Sequence, residues 1–107
     1  IQISKLKHAR KNGWYIGDLD AGIVKSTSVE VCYSTVQQGS TDPHYHTKFT
    51  EILLVTKGKG IINGKKIKKG DIVVINQGEI NDLIAKTKKF TAVGVKIPAG
   101  GNDKVRI

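Results

Sequence analysis

The chain has 107 residues, the length of a single domain, so most of its apolar side chains must share one interior. Its formal net charge of +9 would suit a polyanionic partner, yet the cations are lysines except for Arg10 and Arg106, and no base-stacking or groove-binding motif accompanies them. A dedicated nucleic-acid protein is therefore not expected, and no run approaches the roughly 18 apolar residues of a membrane span.

Cysteine usage and the N-terminal segment bear on the cellular compartment. Cys32 is the single cysteine, so no intramolecular disulfide can form, and no basic partner that would activate its thiol is evident. We therefore expect Cys32 to be a small buried hydrophobe. The first eleven residues are basic, with His8 expected to be exposed, and they lack the apolar stretch of a signal peptide. These features predict a cytoplasmic protein.

Short β-prone runs separated by Gly, Pro, Asn and Asp fill most of the chain. Heptads and long amphipathic helical stretches are absent, so closely spaced strands with turns between them predict an all-β barrel or sandwich. Residues 1–28 and 98–107 carry weaker signals, which predict extra strands or arms. The strands predicted between these two ends are residues 29–36, 51–56, 60–62, 65–68, 71–75 and 90–97.

Asn63-Gly64 is the clearest local signal in the chain. The pair suits the positive φ angles of a two-residue type I′ turn, so the runs on either side of it should pair as an antiparallel hairpin. Lysines crowd both strands of this hairpin. We interpret them as a solvated surface that discourages edge-to-edge aggregation, rather than as an anion-binding patch.

His44, His46 and Glu51 form the constellation that carries chemistry. One residue separates the two histidines, so on an extended chain their side chains point to the same face and converge on one spot. Asp42-Pro43 favours a turn just before them. Glu51 opens the next apolar strand, where a carboxylate is destabilising unless something pairs with it.

This arrangement, His-x-His followed by four residues, Glu, six residues and Gly58, resembles the first sequence motif of the cupin superfamily. The second cupin motif is visible at residues 70–81, with Asn76 in place of the usual Pro and Asn81 in place of the usual third metal-binding His. Ala85 replaces the Asn that closes that motif. The resemblance covers residues 29–97, and residues 93–104 are also similar to a poorly characterised cupin subgroup that ends in Val-Lys-x-Pro and Asp-Lys.

The resemblance implies one cupin domain over residues 1–107, a double-stranded β-helix or jelly-roll barrel. It also implies a divalent metal (Fe, Mn, Ni or Zn) held by His44, His46 and Glu51. Two His and one carboxylate leave positions open for water or substrate, and Asn81 can add a carbonyl oxygen as a weak fourth ligand. Asp82 would have to face inward to do better. Cupins commonly pair, so a homodimer is also expected.

The sequence is compatible with three functions. One is a metal-dependent isomerase or dioxygenase acting on a sugar derivative or small carboxylate, with His44, His46 and Glu51 as catalytic and ligating residues. Another is a metal-free sugar-nucleotide isomerase or epimerase that uses histidine as acid or base. A third is a non-catalytic module for a small ligand, since one fold hosts many functions. Trp14 and Tyr15 are expected to pack or to cap the barrel mouth, and Tyr33, Gln37 and Lys96 are candidates for lining it.

Overall fold

The computed structural model describes residues 1–9, 13–18, 23–99 and 103–107. The predicted arms at both ends of the chain therefore lie partly outside the described residues, at 10–12, 19–22 and 100–102. A short 3-10 helix, Leu6–His8, precedes the first strand, and none of the described helices is long and apolar enough to span a membrane. The strands are β1 Trp14–Gly17, β2 Val24–Lys25, β3 Glu30–Val36, β4 His44–His46, β5 Thr50–Lys57, β6 Lys59–Ile62, β7 Lys65–Lys68, β8 Ile72–Ile75, β9 Leu83–Ala85, β10 Phe90–Ile97 and β11 Lys104–Arg106.

Six strands form the main sheet in the order β2-β1-β3-β10-β5-β8. The late strand β10 lies at its centre and pairs antiparallel with both β3 and β5. β-Branched and aromatic residues fill these strands, which suits a pleated, half-buried surface. The predicted all-β class is confirmed.

A three-stranded sheet, β7-β6-β9, and a two-stranded sheet, β11-β4, complete the fold. The predicted hairpin is confirmed, because Ile62 pairs with Lys65 across the two-residue turn. Asn63 and Gly64 both have positive φ, +49° and +79°, as a type I′ turn requires. The side chain of Asn63 also bonds beyond the turn, donating to Ile80 O at 2.5 Å and accepting from the Asp82 amide at 2.9 Å.

The inner faces of the central strands change from apolar to polar along their length. On β5 the buried positions are Glu51, Leu53 and Val55, while Leu54 faces outward. Alternation on β10 likewise places Lys96 on the face that carries Phe90 and Ala92 into the core. One end of the interior is therefore packed with apolar side chains, and the other presents the polar groups of the site. The core cluster is Leu53, Val55, Ile62, Ile67, Ile75, Ala85, Phe90 and Ala92.

Candidate metal site

His44 and His46 stand on β4, which is held from two sides. β11 pairs with it along its whole length, with Lys104 opposite His46 and Arg106 opposite His44. On the other side the backbone of His44 exchanges two hydrogen bonds with Asn81, with N···O distances of 3.2 and 2.7 Å. The second motif is thus joined directly to the first through its Asn81.

His46 is buried, and its ring is held by contacts with two other residues. Its Nδ1 lies 2.9 Å from Asp103 Oδ1, and its ring packs on Phe49 with a centroid distance of 4.1 Å. Burial lowers the pKa of His46, although the hydrogen bond to Asp103 opposes that shift. The ring is therefore neutral at neutral pH, with its proton on Nδ1 and its lone pair on Nε2.

Asp103 is itself fixed by three donors. Besides His46, the backbone amides of Thr47 and Lys48 donate to its Oδ2 at 3.0 and 2.7 Å. Burial alone would raise the pKa of Asp103, but the Lys48 amide, His46 and the Thr47 amide outweigh it, so the pKa lies below its usual value. A charged carboxylate therefore accepts the Nδ1 proton of His46 and fixes the ring orientation.

His44 presents its ring in the same sense. Its Nδ1 lies 2.6 Å from the carbonyl oxygen of Asp42, which can only accept a hydrogen bond, so this nitrogen carries the proton. Its Nε2 is then the nitrogen with a free lone pair. The His44 and His46 rings meet edge to face with centroids 4.9 Å apart.

Glu51 supplies the carboxylate from the middle of the main sheet. It is paired with Lys96 on β10 and Ile75 on β8, so its backbone is held on both sides. Its side chain is buried, and its Oε1 accepts a hydrogen bond from Asn81 Nδ2 at 2.9 Å. Asn81 therefore contacts the site through its amide nitrogen and orients the glutamate. Its predicted role as a carbonyl ligand stays a prediction.

The three predicted ligands converge. One ligand atom from each of His44, His46 and Glu51 lies within 4.8 Å of the other two. His46 Nε2 is buried, has no hydrogen-bond partner among the described residues, and lies 3.9 Å from Glu51 Oε2. An unpaired buried lone pair facing a carboxylate is costly unless something positively charged lies between them. The donor set fits a divalent metal ion.

A cavity of about 480 Å³ opens over these ligands. Trp14, Lys96 and Lys104 line it, and Cys32 lines it from β3. Among the described residues, the predicted candidates Tyr33 and Gln37 do not line it, nor does Asp82, whose amide bonds Asn63 instead. Cys32 is buried, as predicted, and burial raises the pKa of its thiol to about 11.

Two residues of the site were missed by the sequence analysis. The sequence pattern includes Asp103 only within the C-terminal Asp-Lys pair, and it assigns no role to Phe49. The signal that could have found Asp103 is a carboxylate just before a short run of alternating basic and apolar residues, 104–107, near the end of the chain. Its partner in space, His46, lies 57 residues away, so local pattern does not connect the two.

No protein-family model and no curated protein matches the sequence. Solved structures do match. An uncharacterised protein with a double-stranded β-helix domain from Klebsiella pneumoniae superposes with TM-score 0.69 at 17% identity, covering 92% of this chain and 86% of that one. The fold is the double-stranded β-helix.

Two further structures with this fold are described as enzymes. The nucleoside dehydratase Pac13 matches with TM-score 0.65 at 15% identity, covering 77% of this chain and 70% of its own, and variants of the Streptomyces protein were solved with uridine. The DMSP lyase DddQ from Ruegeria pomeroyi matches with TM-score 0.68 at 18% identity, covering 88% of this chain but 48% of its own. At these identities the likeness concerns the fold alone.

Proposed function

We propose that this cupin-fold chain binds a divalent metal ion through Nε2 of His44, Nε2 of His46 and a carboxylate oxygen of Glu51. The observation that carries the proposal is the buried, unpartnered Nε2 of His46, whose other ring nitrogen is already held by Asp103. Hydrogen bonds to Asp42 O and Asp103 leave the lone pairs of both histidines available for the ion.

The same cavity is proposed to take a small molecule, a sugar derivative or a small carboxylate, for an isomerase- or oxygenase-type reaction. A bound ion would supply Lewis acidity or activate oxygen. The chain's own residues supply the rest: Glu51 is fixed by Asn81, and Trp14 and Lys96 form part of the wall that a ligand would contact. The small-molecule enzymes of the same fold support this choice of substrate size.

Metal content tests the first part of the proposal. The wild-type chain, purified without chelator, is expected to carry close to one equivalent of Fe, Mn, Ni or Zn, and a His44→Ala/His46→Ala double variant is expected to lose it. His8→Ala is the matched control, because His8 is exposed and does not line the cavity. Equal trace metal in all three proteins would refute the metal site.

A metal-free acid–base enzyme is the second candidate, favoured by one observation. Asn81 stands where cupins resembling this one supply a further His, and its amide occupies one oxygen of Glu51. His44 and His46 would then transfer protons directly. The two candidates separate if a panel of sugar nucleotides and small acids raises Tm with and without restored metal. Shifts that require metal support the first, and equal shifts support the second or a non-catalytic binding module.

A further inference from the structure

Lys96 places a positively charged side chain in the wall of the candidate site's cavity. It lies on β10 directly opposite Glu51 of β5, and residues opposite each other on neighbouring strands share a face of the sheet. The ammonium group therefore stands beside the three ligands, in the same 480 Å³ cavity.

Aromatic rings flank the ammonium group of Lys96, and the sheet register places a buried carboxylate residue on each side of it, Glu30 on β3 and Glu51 on β5. Its Nζ lies 4.4 Å from the Trp14 ring centroid and 4.6 Å from that of Phe49. Within the described parts of the chain, no carboxylate lies within ion-pair distance of it. A cation–π contact orients an ammonium group but leaves its N–H donors without an acceptor oxygen. An oxyanion from outside the chain would satisfy them.

The other charges around the cavity leave room for such an anion. Lys104 pairs with Asp42, which also accepts from Arg106 Nε at 3.1 Å, so this cluster of two cations and one carboxylate keeps a net positive charge. Glu51 is directed to His46 and Asn81, and the buried Glu30, opposite Lys96 on β3, adds a second carboxylate beside the lysine. With a divalent ion bound, the cavity would hold a net positive charge, and the +9 charge of the whole chain would attract anions towards it.

We propose that the small molecule recognised by this site carries an oxyanion, a carboxylate or phosphate, which Lys96 binds through its ammonium group. The proposal rests on the proposed function in that it names the substrate class for the same cavity. Lysine acts as a point charge rather than as a planar fork, so a single anionic group suffices. The register of β5 and β10 then places the rest of the ligand next to Glu51 and the histidines.

Trp14 makes this inference directly measurable. It is the single tryptophan of the chain, and Lys96 covers its ring, so an anion that draws the ammonium away changes its fluorescence. The probes are lactate with lactamide as its neutral analogue, and glycerol 3-phosphate with glycerol. Each is titrated into metal-loaded and metal-free wild type, Lys96→Met, Lys96→Gln and, as a control with the same charge change, Lys88→Met at an exposed position.

We expect at least one anion to bind wild type and Lys88→Met equally, and to bind both Lys96 variants about 10- to 100-fold more weakly, the size of one charge-assisted hydrogen bond. The neutral analogues should not discriminate among the proteins. Which anion binds identifies carboxylate or phosphate as the recognised group. An anion affinity unchanged by both Lys96 substitutions, or no anion response in folded wild type, would overturn the inference.

The design separates this inference from the proposed function. If the protein retains no metal but loses anion binding on Lys96 substitution, the metal site is refuted and the anion site is supported. If the histidines bind metal but anion affinity is unchanged by Lys96 substitution, the metal site is supported and the anion site is refuted. Circular dichroism and Tm of each variant verify folding. Met keeps the length of the apolar stem without the charge, and Gln replaces the charge with a shorter neutral polar side chain.

Discussion

At the scale of single residues, Asp103 orients a proposed metal ligand, His46, without being a proposed ligand itself. It accepts the Nδ1 proton of His46 and two backbone amides, and its side chain is almost completely buried. A partner of this kind fixes both the orientation and the tautomer of a ligating imidazole. Replacing it should change which nitrogen of His46 is free.

Asp103→Asn is therefore expected to weaken metal binding about 10- to 100-fold. The amide nitrogen of Asn can donate to Nδ1, which would move the His46 proton to Nε2 and remove the free lone pair. Affinity for Zn or Mn is measured by competition with a chromogenic chelator. Asp18→Asn, at an exposed position, has the same charge change and should leave the affinity unaltered. Equal affinities in the two variants would contradict this role.

Cys32 gives a second prediction at this scale. Its pKa is raised from 9.0 to about 11 by burial, so the unfolded chain releases the thiol proton at lower pH than the folded chain does. The contribution of the protonated thiol to stability is complete below pH 9 and is lost as pH rises towards 11. Stability should therefore fall over this range more steeply in wild type than in Cys32→Ala.

The measurement for Cys32 is the free energy of unfolding in urea at several pH values, compared between the two proteins. All other ionisable groups are common to both proteins, so their contributions cancel in the difference. The thiol should also react with an alkylating reagent far more slowly in the native than in the unfolded protein. A native thiol that reacts as fast as the unfolded one would exclude this assignment.

His44, His46 and Glu51 were accessible to sequence reasoning because strand alternation and motif spacing are both local. Asp103 was not, because its partner His46 lies 57 residues away in sequence. Phe49 was not, because its contact with Lys96 joins two residues that are far apart in sequence. The position of Lys96 beside Glu51 depends on the register of two strands that lie far apart in sequence. Period-2 alternation predicts which side chains of one strand share a face, but it does not predict which strands are neighbours.

At the scale of the elements, the hairpin β6–β7 was predictable and β9 was not. Asn63-Gly64 encodes its turn in two residues, and the strands Lys65–Lys68 and Phe90–Ile97 have the predicted bounds. β9, Leu83–Ala85, is three residues long and has no turn residue of its own to mark its end. It exists because β6 pairs with it, a contact across the fold.

Asn63 has a role beyond its turn, and two substitutions separate the roles. Asn63→Gly keeps the positive φ but loses the bonds to Ile80 and Asp82, and it should cost about 1–3 kcal/mol of unfolding free energy. Gly64→Ala keeps those bonds but strains the turn, costing about 1 kcal/mol or more. Urea unfolding of both, with Lys66→Ala on the exposed strand as control, distinguishes them. If Asn63→Gly unfolds like wild type, the side-chain bonds are unimportant.

At the scale of the whole molecule, positive charge is abundant but structurally dispersed. Lysines lie on the exposed hairpin, on loops and at the cavity, and the aromatic rings beside Lys96 are half-buried or buried instead of forming an exposed stacking platform. Charge of this kind attracts polyanions without reading sequence. The expected homodimer stays a prediction, measurable as the mass in solution by light scattering.

Binding to duplex DNA is accordingly expected to be weak, independent of sequence and lost at physiological salt. Fluorescence anisotropy of two unrelated duplexes, at low and at physiological salt, measures this directly. Binding that persists at physiological salt, or that differs between the two duplexes, would show that a nucleic-acid function had been wrongly set aside.

The central position of β10 has a consequence for how the chain is made. β3 and β5 are synthesised long before residues 90–97, yet each finds its sheet partner in β10. A nascent chain stopped before that strand would hold two unpaired edges, the arrangement most prone to aggregation. Folding must therefore wait for most of the polypeptide to leave the ribosome. His46 receives its carboxylate partner later still, when Asp103 emerges.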